Sequence, residues 1–429
     1  MATANDKAWE HYISQKKLLL DGRTHIVSAR DLKSVTGREP WLMTKFNTLK
    51  QIPSILRQHD YALVAVANGE YLLFKGCLFA QIPRCQFKIK FESQAAFPLL
   101  TVGRGAGKAE YLDNAFNSGM LAEFTGVDHL YLTIRGRGIT ETFDFRVDAN
   151  DLSVQANGVQ IETDAGYEGE RDIILVEAKI GAPSHFNIKQ LYYPFRHFSL
   201  IAPQKQIRTL FFEYNLSKAT YTFYEFAFKK PKVFDSIQLL RCCTYSLTSP
   251  LFYKKVDDLL DVRFETVSQI VPQVGDLNKI FEMLILINRG QNTVDEIADY
   301  FIFEPRQSNY YGEAAEYPGL ITRQSGVFEL TERGRAFLNT SPEYKRGFVA
   351  KLVVNSWVFN KLITRARRRG EFSYEDVDAV IAMATKPDNQ QRYTKSTISR
   401  RRRTIIAWIK WLTEQLGVFE REGNKYRLA

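Results

Sequence analysis

Asp164, Glu177 and Lys179 have the side chains needed for metal-dependent phosphate chemistry, provided that the fold brings them together. Hard divalent cations such as Mg²⁺ prefer oxygen ligands in near-octahedral geometry and retain several waters. The two carboxylates can supply two such ligands, and the backbone carbonyl of Ala178 a third. Lys179 would then orient or help to deprotonate the attacking water, or neutralise charge that builds on a phosphate.

Two strands and a turn are expected to position these residues. Apolar and polar residues alternate over 159–164, which is the period of a half-buried strand, and an apolar, mostly β-branched run precedes Glu177. The glycine-rich, charged segment between them predicts a turn. Antiparallel pairing about that turn places Asp164 opposite Glu177, and Glu162 opposite Lys179.

The same residue types also fit a cross-strand salt bridge on a solvated sheet face. The acid-x-Lys pattern recurs at Asp31 and at Glu343. Only the copy at Glu177 follows an apolar strand that pairs with an acidic strand. Within the acidic strand pair, Asp172 is a rival to Asp164 for the role of the first acid. The pattern alone therefore leaves both the catalytic and the salt-bridge interpretation open.

The motif formed by Asp164, twelve intervening residues and Glu177-Ala178-Lys179 resembles the PD-(D/E)XK nuclease superfamily, and specifically its type II restriction endonucleases. The resemblance covers roughly residues 97–214. It implies a central mixed-sheet nuclease core and Mg²⁺ as the cofactor. The implied reaction is phosphodiester hydrolysis by a metal-activated water, which leaves 3′-hydroxyl and 5′-phosphate ends.

Two further side chains gain a role only through this resemblance. In that group the helix after the catalytic strand often carries a glutamine, and Gln190 occupies the matching position. A helix before the sheet often adds another acid, and Glu123 in the helix predicted at 109–124 is a candidate for it. The sequence departs from the superfamily pattern at Thr163, where the motif nominally has a proline that varies widely among its members.

Composition indicates a folded protein with several domains and a polyanionic partner. The chain has 429 residues, 45% hydrophobic and 13% aromatic, with a net charge of +10 and a pI of about 9.2. Its four cysteines include no CxxC pair, which argues against a disulfide scaffold or a zinc site. No apolar run approaches the ~20 residues of a membrane span, and the first residues lack an apolar signal core. We therefore expect a cytoplasmic protein without a membrane partner.

Residues 1–90 are predicted to form a winged-helix-like DNA-binding or accessory domain before the nuclease core at 91–270. A helical stretch at 39–58 is interrupted by prolines, and a hairpin follows with a type I′ turn at Asn68-Gly69. Basic side chains lie along the helical part, at Arg30, Lys33, Arg38 and Lys45. They fit direct DNA contact or an ordinary solvated face. Within the core, residues 131–147 predict strands with a turn at Arg135-Gly136-Arg137-Gly138.

Residues 271–345 predict a winged helix-turn-helix, because three helical segments precede a hairpin. Recognition helices carry base-reading side chains at their N-terminal end. The third helix begins with Arg306, Gln307 and Asn309, the residue types that bond guanine and adenine edges in the major groove. A winged helix can also dock another protein, so this alternative stays open.

Residues 346–429 predict a second, basic winged-helix-like domain. Its long helix at 394–416 begins with a run of arginines and then becomes apolar on one face. The run comprises Arg400, Arg401, Arg402 and Arg403. We expect it to contact DNA phosphates, with a solvated run or a localisation signal as the alternative.

Together these features predict a multidomain α+β or α/β protein with a mixed-sheet nuclease core flanked by winged helix-turn-helix domains. The expected function is Mg²⁺-dependent, sequence-specific cleavage of double-stranded DNA, as in restriction of foreign DNA. Alternatives are a junction-resolving or modification-dependent nuclease on the same core, and a winged-helix transcriptional regulator without catalysis. A palindromic target would favour a homodimer.

Overall fold

The computed structural model describes residues 3–95, 99, 101, 107–147, 152–248, 255–266, 271–384 and 393–429, except for the side chain of residue 343. The chain divides into two compact units. Unit 1 comprises Met1–Ile89, Gly119–Glu213 and Tyr221–Tyr245, and unit 2 comprises Lys90–Ser118, Tyr214–Thr220 and Ser246–Ala429.

Fifteen α-helices lie within the described residues. They are α1 (Ala4–Lys16), α2 (Ala29–Thr36), α3 (Pro40–Thr44), α4 (Ser54–Gln58), α5 (Lys108–Asn117), α6 (Met120–Thr125), α7 (Lys189–Ile201), α8 (Leu277–Asn288), α9 (Val294–Phe301), α10 (Pro305–Glu316), α11 (Glu332–Leu338), α12 (Pro342–Val354), α13 (Trp357–Arg369), α14 (Tyr374–Met383) and α15 (Lys395–Leu416). None of these helices is long and apolar enough to cross a lipid bilayer.

The strands complete a mixed α+β fold. They are β1 (His25–Ser28), β2 (Tyr61–Ala67), β3 (Glu70–Lys75), β4 (Phe79–Gln81), β5 (Lys88–Phe91), β6 (Tyr131–Ile139), β7 (Phe143–Val147), β8 (Leu152–Ala156), β9 (Gln160–Glu168), β10 (Asp172–Ile180), β11 (His185–Asn187), β12 (Gln206–Asn215), β13 (Thr220–Phe228), β14 (Ile237–Leu247), β15 (Ile321–Gln324), β16 (Val327–Leu330), β17 (Phe372–Ser373), β18 (Phe419–Glu422) and β19 (Lys425–Leu428). The largest sheet has seven strands in the order β5-β14-β13-β12-β10-β9-β6.

This large sheet is mixed in strand direction. β9 and β10 form an antiparallel hairpin, and α7 then connects β10 to its neighbour β12. The backbone N–H of Gln206, which begins β12, donates to the carbonyl of Arg171, immediately before β10, at 2.8 Å. The two strands therefore start at the same end of the sheet and run parallel, as a helical crossover requires.

The units differ from the predicted domain boundaries because the N-terminal hairpin and the sheet share one hydrophobic core. Val64 and Phe74 of β2 and β3 pack in the same buried cluster as Phe211 and Phe226 of the sheet. Residues 90–118, predicted to belong to the core domain, lie in unit 2.

The N-terminal elements follow the sequence closely, with one difference in the hairpin turn. Ser28 caps α2 through the N–H of Asp31, and prolines stand at the start of α3 and just before α4. The hairpin of β2 and β3 is present, but only Gly69 of its turn has a positive φ, of 76°. A type I′ turn needs positive φ at both central residues. A bulge between Ala65 and Ala67 provides the extra twist instead.

Two predicted elements were wrong in their bounds. The predicted turn at residues 135–138 is part of β6, which continues to Ile139 with two register shifts against β9. Gly136 lies beside one shift with a φ of 100°, a bulge conformation that glycine adopts without strain. The single helix predicted at 109–124 is two helices, because the first ends at Asn117 and Gly119 (φ 88°) is the N-cap of the second.

Unit 2 contains the predicted order of three helices and a hairpin. α8, α9 and α10 precede β15 and β16, and Thr293 forms a capping box at the start of α9. The hairpin turn at Ser325 and Gly326 has positive φ at both positions, 50° and 80°, as a type I′ turn requires. α13, α14 and α15 followed by β18 and β19 repeat this order, with β17 added to the sheet.

Lys345 is a buried lysine of α12 in unit 2, and its side chain contacts the C-terminal end of α11. Its Nζ donates to the carbonyls of Phe337 and Leu338, at 3.3 Å each, and lies 5.8 Å from the ring centre of Tyr111. The Phe337 carbonyl also accepts from the Thr340 backbone N–H at 3.2 Å, and the ammonium adds a side-chain cap to the last turn of α11. Burial lowers the pKa of Lys345 from 10.5 to about 7.

Candidate active site

The β9–β10 hairpin places the two predicted acids side by side. Its register pairs Ile173 with Glu168 and Val176 with Ala165, so the next pair along the ladder is Glu177 with Asp164. Directly opposite residues of an antiparallel pair project from the same face of the sheet. The strands extend further into the hairpin than predicted and leave a loop of only residues 169–171.

Both carboxylates are largely removed from solvent. Asp164 is 9% exposed and Glu177 is 5% exposed. Two buried carboxylates repel each other and lose hydration, so they need compensating donors or cations. The backbone N–H of Ala178 donates to Oδ2 of Asp164 at 2.8 Å. On the Glu177 side, Oε1 accepts from Nζ of Lys179, which forms an ion pair with it.

Gln190 connects α7 to this pair of acids. Its Nε2 donates to Oε1 of Glu177 at 2.6 Å, so the first turn of α7 holds the carboxylate that β10 presents. The other amide atom, Oε1 of Gln190, is buried and has no hydrogen-bond partner in the described part of the chain. The Lys179 side chain keeps 26% of its surface exposed and can contact a bound ligand.

The donor set suits a hard divalent cation that keeps part of its hydration shell. N–H and C=O of one residue leave an extended strand on the same side, so the Ala178 carbonyl faces the side on which Asp164 lies. Two carboxylates and this carbonyl would give three oxygen ligands, and waters would complete the octahedron that Mg²⁺ prefers. The unpartnered Oε1 of Gln190 can accept a hydrogen bond from such a water. Among the described residues no three His, Cys, Asp or Glu side chains converge on one point.

The other acids considered from the sequence lie outside this cluster. Asp172 is at the opposite end of β10, five residues or about 16 Å from Glu177 along the strand. Its Oδ1 is 3.8 Å from Nη1 of Arg208. Glu162 is exposed and pairs across the sheet with Arg137. Glu123 is exposed on α6, where its charge raises the pKa of Tyr245, a smaller effect than the burial of that tyrosine.

The predicted base-reading residues are exposed at the start of α10. Arg306, Gln307 and Asn309 all face solvent, and the Arg306 guanidinium lies 5.4 Å from the ring centre of Tyr310. Between them Ser308 is fully buried, and its hydroxyl donates to the Val294 carbonyl at 2.7 Å. The buried serine fixes the rotation of α10, so its neighbours project outward together.

The four arginines of α15 do not form one surface. Arg401 is 6% exposed, and its guanidinium lies 4.4 Å from the ring centre of Tyr393. Arg402 forms an ion pair with Asp378 at 2.6 Å. Only Arg400 and Arg403 are exposed. We predicted that all four arginines contact phosphates. This does not fit the structure, because Arg401 faces the protein interior.

A basic pair beside the candidate site was not predicted. Lys189 begins α7, next to Gln190, and Lys45 follows α3 and lies close to it. The sequence shows that Lys189 precedes Gln190. It does not show that Lys45 lies near Lys189, because this proximity depends on a contact between Asn187 and Phe46, which are more than 140 residues apart.

Three family models match different parts of the chain. Residues 6–73 are similar to a domain of unknown function, DUF6996, residues 76–246 to another, DUF6997, and residues 279–417 to a third, DUF7226. No curated protein and no solved structure matches the chain. The candidate site lies within the second of these regions, and α10 and α15 lie within the third. The descriptions of the three domains name no activity.

Proposed function

We propose that this protein is a Mg²⁺-dependent, sequence-specific endonuclease for double-stranded DNA, of the type II restriction class. The observation that carries the proposal is the pairing of Asp164 with Glu177, with Lys179 and Gln190 on the second carboxylate. These are the four side chains that the PD-(D/E)XK resemblance assigns to catalysis. The role implies a cytoplasmic protein that acts on foreign DNA.

Metal binding, positioning and water activation would be carried out by different residues of the site. Asp164, Glu177 and the Ala178 carbonyl would hold Mg²⁺, which when bound lowers the pKa of water and neutralises charge on a phosphate. Gln190 keeps the Glu177 carboxylate in place. Lys179, partly exposed and beside Glu177, orients the attacking water or stabilises negative charge on the phosphate.

The reaction is hydrolysis of one phosphodiester in each strand. A water oxygen bonds to phosphorus as the bond from phosphorus to O3′ breaks. The water proton passes to solvent or a nearby base, and O3′ takes up a proton as it leaves. The products are a 5′-phosphate and a 3′-hydroxyl.

The arrangement of elements supports a nuclease core flanked by winged-helix modules. The mixed sheet presents the acids at the β9–β10 pair, and the crossover helix α7 adds Gln190. In unit 2, three helices precede a two-stranded hairpin twice. The exposed Arg306, Gln307 and Asn309 at the start of α10 supply the donors and acceptors that distinguish base pairs in the major groove.

A winged-helix regulator without catalysis is the second candidate. It is favoured by one observation, since Oε1 of Glu177 already accepts from both Lys179 and Gln190 and so resembles a structural ion pair. Incubation of the full chain with supercoiled plasmid and Mg²⁺, with EDTA as the control, separates the two. Discrete linear fragments that require Mg²⁺ support the restriction endonuclease. Tight binding of specific DNA without any cleavage supports the regulator.

A further inference from the structure

Two lysines are held together at the start of α7, next to the candidate active site. The Asn187 side chain connects the segments that carry them: its Nδ2 donates to the Phe46 carbonyl at 3.0 Å, and its Oδ1 accepts from the Lys189 backbone N–H at 3.1 Å. Asn187 is only 2% exposed, so this connection is part of the core of unit 1. Lys45 and Lys189 therefore lie near each other as a fixed feature of the fold.

The proximity of the two positively charged lysines is electrostatically unfavourable when no ligand is bound. In the described part of the chain neither ammonium group forms a hydrogen bond or an ion pair. Burial, followed by the charge of Lys45, lowers the pKa of Lys189 to about 8. Lys189 is also the first residue of α7, where the helix dipole disfavours a cation. An anion bound between the lysines would relieve this repulsion.

Lys189 is also the sequence neighbour of the residue that holds one of the proposed catalytic acids. Gln190 follows Lys189 directly and bonds Glu177 at 2.6 Å. A DNA strand that enters the site carries a negative charge every ~3.4 Å along the helix axis. Phosphates on either side of the cleaved one must therefore lie near the cluster, and carboxylates would repel them whereas ammonium groups would attract them.

We propose that Lys45 and Lys189 together bind a phosphate of the substrate strand that neighbours the phosphate to be cleaved. This inference rests on the proposed nuclease function and adds a positioning role to it. The two lysines hold the strand in register with Asp164 and Glu177 but contact neither the metal nor the reacting atoms. Contacts of this kind fix orientation without reading sequence.

The test is equilibrium binding of a duplex of about 20 base pairs by the full chain in EDTA, measured over a range of salt concentrations. Each phosphate contact contributes about −0.9 to the slope of log K against log salt. Lys45→Ala and Lys189→Ala should each reduce the magnitude of this slope, and the double variant should reduce it most. Lys189→Arg, which keeps the positive charge, should retain the wild-type slope. Lys229→Ala, an exposed lysine of the same unit, is the matched control and should leave the slope unchanged.

Two further readouts separate this role from a structural one. Removing one of two repelling cations should not lower the melting temperature, whereas loss of a structural lysine would lower it. Duplex DNA should also protect Lys45 and Lys189 from acetylation, detected by mass spectrometry, more than it protects Lys229. Unchanged slopes and no protection overturn the inference.

Because binding is measured without metal, the inference and the proposed function fail separately. A wild-type chain that binds DNA through these lysines but never cleaves it refutes the nuclease and keeps the phosphate site. A chain that cleaves DNA, with slopes unaffected by either lysine, refutes the phosphate site alone. A wild-type chain that binds no duplex refutes both.

Discussion

Gln190 donates a 2.6 Å hydrogen bond from Nε2 to Oε1 of Glu177, so the first turn of α7 controls the position of a carboxylate on β10. Glu177 also forms an ion pair with Lys179, a residue on the same strand. The contact joins β10 to α7, which are separated along the chain by the short strand β11. In the proposed nuclease, Gln190 would act by positioning Glu177 without itself reacting.

Loss of this contact should weaken metal binding and cleavage together. Gln190→Ala should reduce the cleavage rate about 10- to 100-fold, the usual effect of removing a partner that orients a metal ligand. The half-saturating Mg²⁺ concentration should rise, while DNA affinity in EDTA stays the same. Gln86→Ala, an exposed glutamine of the same unit, is the control. Equal rates and equal Mg²⁺ dependence for both variants would show that Gln190 only fills space.

The exposed start of α10 should read individual base pairs. Arg306→Ala should cost about 1–3 kcal/mol at one position of the recognition site and little elsewhere, because a bidentate contact to guanine is lost. Sequencing of the cut ends should show relaxed preference at that position. Gln307→Ala and Asn309→Ala should relax others, and Arg335→Ala on α11 serves as the exposed control. Unchanged discrimination in all three variants would mean that α10 does not contact bases.

The arginines of α15 should divide into two classes. Arg400→Ala and Arg403→Ala should each reduce the salt slope of DNA binding by about 0.9, because these side chains are exposed. Arg401→Ala should instead lower the stability of unit 2 by about 1–3 kcal/mol, because it removes a buried guanidinium stacked on Tyr393. The same slope change for Arg401 and Arg400 would contradict the inward orientation of Arg401.

The stability of unit 2 should depend on pH through Lys345. Its pKa is about 7 in the folded chain but near its ordinary value of 10.5 when unfolded. Between these values the unfolded chain binds one proton more at this residue, so the contribution of Lys345 to the free energy of unfolding should rise with pH by about 1.4 kcal/mol per unit.

Lys345→Met removes this dependence. In urea denaturation curves, the free energy of unfolding of the Met variant should exceed that of wild type most near pH 6. This difference should shrink progressively up to pH 10. The control is Lys361→Met, an exposed lysine of α13, which should show no such trend. A constant difference between Lys345→Met and wild type would indicate that the buried amine keeps its proton throughout.

The sequence predicted the local features of the site well because they depend on short-range patterns. Alternation and turn composition were enough to place Asp164 opposite Glu177. The errors occur in segments whose structure depends on tertiary contacts. The glycines of β6 indicated a turn, but they accommodate bulges in a strand that is held by β9.

Features that depend on packing were beyond the sequence. Four consecutive arginines on a helix cannot all face one side, and only the contacts of Arg401 with Tyr393 reveal which of them turns inward. The proximity of Lys45 to Lys189 depends on the hydrogen bond between Asn187 and Phe46. The shared core of the N-terminal hairpin and the central sheet likewise joins segments that the sequence pattern treats as separate domains.

The central claim is that Asp164 and Glu177 form one metal-dependent catalytic site, and a comparison of two aspartates of the same hairpin tests it most directly. The measurement is the single-turnover rate of plasmid cleavage in Mg²⁺ by wild type, Asp164→Asn and Asp172→Asn, with DNA affinity in EDTA as the check on folding. Asp164→Asn should abolish cleavage and keep binding, whereas Asp172→Asn, which only loses its contact with Arg208, should cut at nearly the wild-type rate. An active Asp164→Asn beside an inactive Asp172→Asn, or a wild-type chain that binds DNA and never cuts it, would contradict this account.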